Sequence, residues 1–202
     1  MVKNYHIGSP ASATFFVTMR LAGSIPKHII AQYKVQKDED AQALKQQFEN
    51  EPLMLKEKLY HLEKQYFGIF DKELDKCNEP YWLKQPEIAQ IIANSIDFFE
   101  KEDKSLINYA YCIMPNHLHW VLKLNDDAPV LYKLLQRMKR HTARQANKFL
   151  QREGQFWEDE SYDHIVRNAK EFDNIVLYTL QNPVKAGFVT NWEEWTFSYV
   201  KE

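Results

Sequence analysis

The chain has 202 residues, of which 45% are apolar and 14% aromatic, and its formal net charge is −2. This length predicts one domain, the aromatic content excludes disorder as the main state, and no apolar run approaches the roughly 20 residues that cross a bilayer. Two cysteines, Cys77 and Cys112, are too few for a disulfide framework or a zinc site, so we expect both to be reduced. The five glycines form no Rossmann or P-loop motif.

The first half of the chain predicts one strand followed by helices. The segment Thr14–Arg20 is rich in β-branched and aromatic residues and predicts a strand. Residues 31–80 have a charged, helical composition that Pro52 should interrupt. We interpret them as a helical insertion in a single domain over residues 1–202. Apolar residues at helical spacing predict a further helix over residues 85–100.

The second half predicts a hairpin and then further helices and a strand. Residues 107–113 and His117–Leu124 read as strands, and the Met114-Pro115-Asn116 turn between them predicts a β-hairpin. A helix, a strand and a last helix, ended by Asn182-Pro183, are predicted over residues 129–150, 156–167 and 170–181. The resulting βαββαβ order is typical of an α+β ferredoxin-like fold with an antiparallel sheet.

His117 and His119 form a candidate metal site. Side chains in a strand alternate between faces, so both imidazoles leave the same face, opposite Leu118 and Trp120. Two neutral imidazoles side by side are suited to one divalent metal ion. An ordinary pair of surface or core histidines is the alternative.

Tyr178 and Asn182 form a second candidate pair, four residues apart on the last predicted helix. Tyr178 lies about 100° or more from the centre of the apolar side of this helix, so it is not an obvious core residue. A packed tyrosine with a bonded hydroxyl, and an asparagine that caps the helix C-terminus, are the alternatives.

A basic helix is the third feature. Residues 128–152 include seven lysines and arginines and no acidic residue. Five of them share one side of the predicted helix: Lys133, Arg137, Arg140, Arg144 and Lys148. A face of one charge sign predicts a nucleic acid or another polyanion as partner, and a merely solvated surface is the alternative.

Two blocks of the sequence resemble a known family. The segment YCIMPNHLHWVLKL, residues 111–124, resembles the HUH-motif strand of single-tyrosine HUH transposases. The block FWEDESYDHIVRNAKEFDNIVLYTLQNPVKAGFV, residues 156–189, is similar to the C-terminal block of the REP-associated tyrosine transposases. Their MPNHxH strand, basic helix, FW…YDHxxR block and Y…NPVKAG helix end all occur here in order. The resemblance covers residues 107–197 and leaves residues 31–80 without a role.

The resemblance implies a ferredoxin-like domain that cuts single-stranded DNA at hairpin or palindromic repeats. It assigns Tyr178 as the nucleophile, His117 and His119 as metal ligands, and Asn182 as a third, amide ligand. Attack by tyrosine would leave a 5′-phosphotyrosine link and a free 3′-hydroxyl, which can be rejoined without a nucleotide cofactor. Since a tyrosine hydroxyl, with a pKa of about 10, is a weak nucleophile, Mg²⁺ or Mn²⁺ on the phosphate is expected to assist.

The basic helix and the resemblance together predict the DNA contacts. The expected DNA-binding residues are Lys133, Arg137, Lys139, Arg140, Arg144, Lys148, Arg167 and His164. His164 is equally consistent with supporting the metal site or with a structural hydrogen bond. Members of the family act as dimers with the tyrosine in trans or as monomers in cis, so a homodimer stays open. The expected location is the cytoplasm, in association with the nucleoid.

Two other functions are compatible with the same residues. A non-catalytic nucleic-acid-binding module, such as a domesticated transposase, would share the fold, although an RNP-like motif of RNA-binding domains is absent from the sequence. A metal phosphoesterase would use His117 and His119 with water as nucleophile, and would not need Tyr178.

Overall fold

A computed structural model describes residues 12–76 and 79–202, which form two compact units. The first unit contains residues 12–22 and the chain from Pro80 to Glu202. The second unit, Gly23–Glu79, covers nearly the same residues as the predicted helical insertion. The assignment of both to a single domain stays a prediction.

The described residues include five α-helices and five strands, together with two 3-10 helices of three residues each, Trp82–Lys84 and Trp192–Glu194. In chain order the α-helices and strands are β1 (Thr14–Arg20), α1 (Lys27–Gln47), α2 (Pro52–Asp75), α3 (Pro86–Lys101), β2 (Leu106–Ile113), β3 (His117–Leu124), α4 (Leu131–Phe149), β4 (Tyr162–Ile165), α5 (Ala169–Lys185) and β5 (Ser198–Val200). None of these helices is both long enough and apolar enough to cross a membrane.

The strands form one antiparallel sheet in the order β4-β1-β3-β2-β5. In the first unit the elements β1, α3, β2, β3, α4 and β4 follow one another, which is the predicted βαββαβ order. The predicted ferredoxin-like α+β fold is therefore confirmed. The three-residue strand β5 was not predicted, because a segment that short carries too little alternation to be recognised.

Different helices pack on the two faces of the sheet. Leu118, Trp120 and Leu122 of β3 join the buried hydrophobic core, to which α3 and α4 contribute most of the helical residues. The buried indole of Trp120 donates a hydrogen bond to Asn108 Oδ1 at 3.0 Å. The intervening residues of β3, His117 and His119, point to the opposite face, on which α5 packs.

The predicted strand over residues 156–167 is too long, since only Tyr162–Ile165 forms β4. Phe156 and Trp157 are instead buried core residues that fix α4 to the sheet. Trp157 Nε1 donates to Thr142 Oγ1 at 2.8 Å, and the Phe156 ring stacks on that of Trp82. Aromatic residues in a core loop give the same composition signal as a strand, which explains the error.

The last helix is longer than predicted, because α5 continues through Asn182 and Pro183 to Lys185. Proline removes only one helical hydrogen bond, and the following turns close with Ala186 N–H donating to the Asn182 carbonyl at 2.9 Å. Gly187, at φ 75°, follows the end of the helix in the left-handed conformation that ends many helices. Asn182 is therefore an interior residue of α5 rather than its C-cap.

The second unit is a hairpin of two helices, α1 and α2. Pro52 is the first residue of α2, so the interruption predicted at this proline is confirmed. The helices are joined by polar contacts: Tyr66 Oη donates to Asp40 at 2.8 Å, and Lys37 pairs with Glu63 at 2.6 Å. Burial and the bond to Asp40 raise the pKa of Tyr66 to about 12, so this hydroxyl remains a donor throughout the neutral range.

The expectation that both cysteines are reduced can be compared with the structure at Cys112. Cys112 is a free thiol on β2, and burial raises its pKa to about 12. A buried neutral thiol of this kind packs as a small apolar side chain. Cys77 lies outside the described residues.

Candidate metal and tyrosine site

The two histidines of β3 point their rings at each other. His117 Nε2 and His119 Nε2 are 3.1 Å apart, and their ring centroids are 4.6 Å apart. Both side chains are fully buried. The position of the pair follows from strand alternation and from the flanking strand β1, which places Thr18 opposite His119.

The other nitrogen of each ring is held by a polar side chain. His117 Nδ1 lies 2.7 Å from Asn116 Oδ1, and His119 Nδ1 lies 2.8 Å from Thr18 Oγ1. Because an amide oxygen only accepts, His117 donates from Nδ1 and keeps a lone pair on Nε2. Such partners fix the tautomer and orientation of metal-binding histidines. Two ring nitrogens 3.1 Å apart repel each other if both direct a lone pair into the gap, so a proton or a cation has to lie between them. This arrangement fits a divalent metal ion bound by both imidazoles.

Asn182 carries an unsatisfied buried amide. Its side chain is fully buried, and neither Oδ1 nor Nδ2 has a hydrogen-bond partner within the described residues. A buried polar group without a partner costs about 1 to 3 kcal/mol. A cation bound to the amide oxygen would offset that cost, so this observation also fits the predicted role of Asn182 as a metal ligand.

Tyr178 of α5 lies against the histidine pair. Its ring centroid is 5.6 Å from that of His119 and 6.0 Å from that of Phe16 on β1, with edge contacts to both. Lys185 Nζ lies 5.4 Å from the centroid of the same ring, so a positive charge accompanies the tyrosine. The side chain of Tyr178 is half-buried. The structure thus brings the predicted nucleophile next to the two histidines predicted as metal ligands.

The predicted DNA-binding residues of α4 are not part of this site. Lys133, Arg137, Arg140, Arg144 and Lys148 are exposed on α4, whose apolar side packs on the core face of the sheet. Lys139 is different, because its Nζ donates to the carbonyls of Glu158 and Asp159 at 2.8 and 2.9 Å. Burial lowers the pKa of Lys139 to about 8. The Lys139 amine therefore has a structural role, because it hydrogen-bonds to the backbone of the loop after Trp157.

His164 and Arg167 lie near the N-terminus of α5. His164 pairs in register with Phe16 on β1, and its Nε2 lies 3.1 Å from Glu171 Oε1. The backbone N–H of Arg167 donates to Glu171 Oε2 at 2.9 Å, while the residue itself is exposed. The contact with Glu171 gives His164 a structural hydrogen bond, which was one of the alternatives for this residue. A role in DNA binding stays a prediction for both His164 and Arg167.

Four contributors to the site were missed by the sequence analysis: Phe16, Thr18, Asn116 and Lys185. Asn116 directly precedes His117, so its bond to that ring could have been proposed from the MPNHLH motif. Phe16 and Thr18 share a face of β1, but only the pairing register of β1 and β3 shows which histidine they meet. Lys185 is seven residues after Tyr178, which is two helical turns.

Comparison with known proteins identifies the relatives of the chain. Models of protein families give no match. A curated Haemophilus influenzae protein named REP-associated tyrosine transposase is 35% identical over 98 residues, which cover 44% of this chain and 56% of that protein. This chain is a relative of the REP-associated tyrosine transposases. A second curated protein of that name, from Escherichia coli, is 27% identical over 101 residues, which cover 48% of this chain and 56% of that protein. The resemblance drawn from the sequence motifs is confirmed.

A solved structure shows the same fold. It is that of a REP-associated tyrosine transposase bound to a REP hairpin, with a TM-score of 0.60 and 16% sequence identity. The match covers 98% of this chain and 82% of that one. The curated relatives are matched over just over half of their own length.

Proposed function

We propose that this chain is a transposase-like enzyme that cuts and rejoins single-stranded DNA at hairpin or palindromic repeats. The observation that carries the proposal is the placement of Tyr178, with its ring 5.6 Å from that of His119, beside two imidazole nitrogens 3.1 Å apart. Relatives named REP-associated tyrosine transposase support it.

The side chains of His117, His119 and Asn182 would hold Mg²⁺ or Mn²⁺. Imidazole nitrogens suit Mn²⁺ better than Mg²⁺, so Mn²⁺ is expected to serve at least as well. When bound, the metal would supply positive charge that polarises the scissile phosphate. Thr18 and Asn116 hold the imidazoles in the orientation that binding requires.

Tyr178 would act as the nucleophile. Its hydroxyl oxygen forms a bond to the phosphorus, the bond from phosphorus to the 3′ oxygen of the leaving strand breaks, and the 3′ oxygen leaves as a hydroxyl. The 5′-phosphotyrosine keeps the phosphodiester bond energy, so another 3′-hydroxyl can reverse the step and join two strands. Edge contact with Phe16 restricts the tyrosine ring, and Lys185 adds positive charge next to a phosphate bound there.

The basic residues of α4, with Arg167 and His164, would contact the DNA phosphates outside the site. A DNA strand transferase of this kind would work at the nucleoid.

The metal-dependent step can be tested on a labelled single-stranded hairpin with Mn²⁺. We expect EDTA, which removes the metal ion, or the double substitution His117→Ala with His119→Ala, which removes two of its ligands, to reduce cleavage at least about 100-fold. Hairpin binding should stay within a few fold of wild type. His61→Ala is the matched control, since His61 is exposed on α2. Equal losses of binding and cleavage, or cleavage that survives EDTA, would contradict the proposed metal site.

A further inference from the structure

Three aromatic rings pack against one another on one side of the candidate site. The ring of Phe16 on β1 stacks on the imidazole of His119, with centroids 5.5 Å apart and an interplanar angle of 26°. The Phe16 centroid is 6.0 Å from that of Tyr178, and the centroids of Tyr178 and His119 are 5.6 Å apart. These separations are typical of aromatic rings in direct contact, so no layer of water separates the three rings.

Phe16 is also enclosed on its other sides. The residue is only 3% exposed. The ring of Tyr162 on β4 makes an edge contact with it at 6.2 Å, and its partner in register on β3, Val121, is fully buried. Phe16 is therefore an apolar wall next to a predicted metal ligand and next to the predicted nucleophile.

The products of the proposed reaction depend on whether water reaches the phosphate. Water that attacks the DNA strand forms a bond to phosphorus, and the 3′ oxygen leaves as a hydroxyl. Water that attacks the 5′-phosphotyrosine also forms a bond to phosphorus, and the tyrosine leaves as its free hydroxyl. Both reactions end in a 5′-phosphate, which cannot be rejoined. A strand transferase therefore has to keep water away from the phosphate.

We infer, on the basis of the proposed function, that Phe16 is a specificity-determining residue that excludes water and thereby selects strand transfer over hydrolysis. Replacing its ring by the methyl group of alanine opens a space several times larger than the roughly 30 Å³ that one water molecule occupies. Rings with polar atoms border this space, those of His119, Tyr162 and Tyr178. A cavity with polar partners takes up water, whereas a wholly apolar one stays dry.

The products formed from a labelled single-stranded hairpin with Mn²⁺ test this inference. In water labelled with heavy oxygen, Phe16→Ala should raise the ratio of free 5′-phosphate to covalent adduct at least about tenfold, with the label in the new phosphate. Phe16→Leu should raise it less, because leucine keeps most of the apolar volume, and it carries the test if Phe16→Ala does not fold. The matched control is Phe172→Ala, which removes a ring that α5 packs on Tyr109.

A double variant turns the same inference into a gain of function. Tyr178→Phe should not cut the hairpin, because the predicted nucleophile is missing. Adding Phe16→Ala should restore cleavage by water at least about tenfold above Tyr178→Phe alone, with no adduct. General damage to the fold does not produce such a gain, so this result would support exclusion of water by Phe16. Equal cleavage by the single and the double variant would overturn it.

A second measurement needs neither metal nor DNA. Tetranitromethane nitrates tyrosine rings that solvent reaches, and peptide mass spectrometry locates the modified residue. In EDTA, Phe16→Ala should raise the nitration rate of the half-buried Tyr178 at least about threefold, because water enters the space beside its ring. The exposed Tyr132 should react at the same rate in both proteins, and Phe172→Ala should leave the rate at Tyr178 unchanged.

The outcomes separate this inference from the proposed function. If the wild type forms the adduct and the Phe16 variants keep the wild-type product ratio, the inference is overturned and the proposed function stands. An equal rise in hydrolysis in Phe172→Ala, or an unchanged nitration rate at Tyr178, would also overturn it. A wild type that forms no adduct would overturn the proposed function, and the nitration rates would then decide whether Phe16 keeps water from Tyr178.

Discussion

At the scale of single residues, hydrogen bonds from neighbouring side chains set the orientation of the two histidine rings. Asn116 and Thr18 bind the two Nδ1 atoms at 2.7 and 2.8 Å, so both Nε2 atoms are directed to the same point. Strand alternation is sufficient to predict that His117 and His119 share a face. The partner Thr18 is 101 residues away from His119 in sequence, and it becomes visible only when the sheet register is known.

Thr18→Val removes the hydroxyl that holds His119 and keeps the shape and strand preference of the side chain. Because supporting hydrogen bonds of metal-binding histidines are typically worth 10 to 100-fold in metal affinity, we expect Mn²⁺ to bind the variant about 10 to 100-fold more weakly. Isothermal titration with Mn²⁺ measures this. Thr14→Val, at the other end of β1, is the matched control. An unchanged Mn²⁺ affinity in Thr18→Val would show that this hydroxyl does not position His119.

At the scale of elements, α5 explains how the site residues of the C-terminal half come together. Tyr178 and Asn182 are one turn apart, and the helix has to continue past Pro183 for Asn182 to be buried in it. The residue before a proline disfavours the helical conformation, and for Asn182 this preference predicted that α5 ends before Pro183. Tertiary packing overrides that local preference here, which is why the sequence placed Asn182 on the correct face but at the wrong position in the helix.

The contact between α4 and the loop after Trp157 predicts a pH dependence of stability. Burial lowers the pKa of Lys139 to about 8, well below its value in an unfolded chain. Between these two pKa values the unfolded chain holds the proton that the folded protein has released, so a rise in pH stabilises the fold. From pH 7.5 to 9.5 the free energy of unfolding should rise by up to about 2 kcal/mol relative to Lys139→Gln.

Urea unfolding of the wild type and of Lys139→Gln at both pH values checks this prediction. Other lysines and tyrosines titrate in the same range, but they do so in both proteins and cancel in the comparison. Parallel pH dependences of the two proteins would mean that the Lys139 amine keeps an ordinary pKa in the folded state.

At the scale of the whole molecule, the sequence predicted the βαββαβ order of the first unit, because its hairpin and amphipathic helices have strong periodicity. It did not predict that the basic residues of α4 and the histidines of β3 lie on opposite faces of the sheet. Each pattern shows which side of its own element is polar. Which face of the sheet α4 covers is shown by the core that Leu134 and Met138 share with Trp120, and a local pattern does not contain that information.

The central claim is that Tyr178 becomes covalently attached to DNA. The most direct test is a denaturing gel of the wild type and Tyr178→Phe, each incubated with labelled single-stranded hairpin and Mn²⁺. We predict a denaturant-resistant protein–DNA adduct in the wild type and its absence in Tyr178→Phe, with Tyr132→Phe as a control that keeps the adduct. Cleavage without an adduct in both proteins would contradict the claim in favour of a phosphoesterase that uses water. Tight binding with no cleavage would contradict it in favour of a binding module.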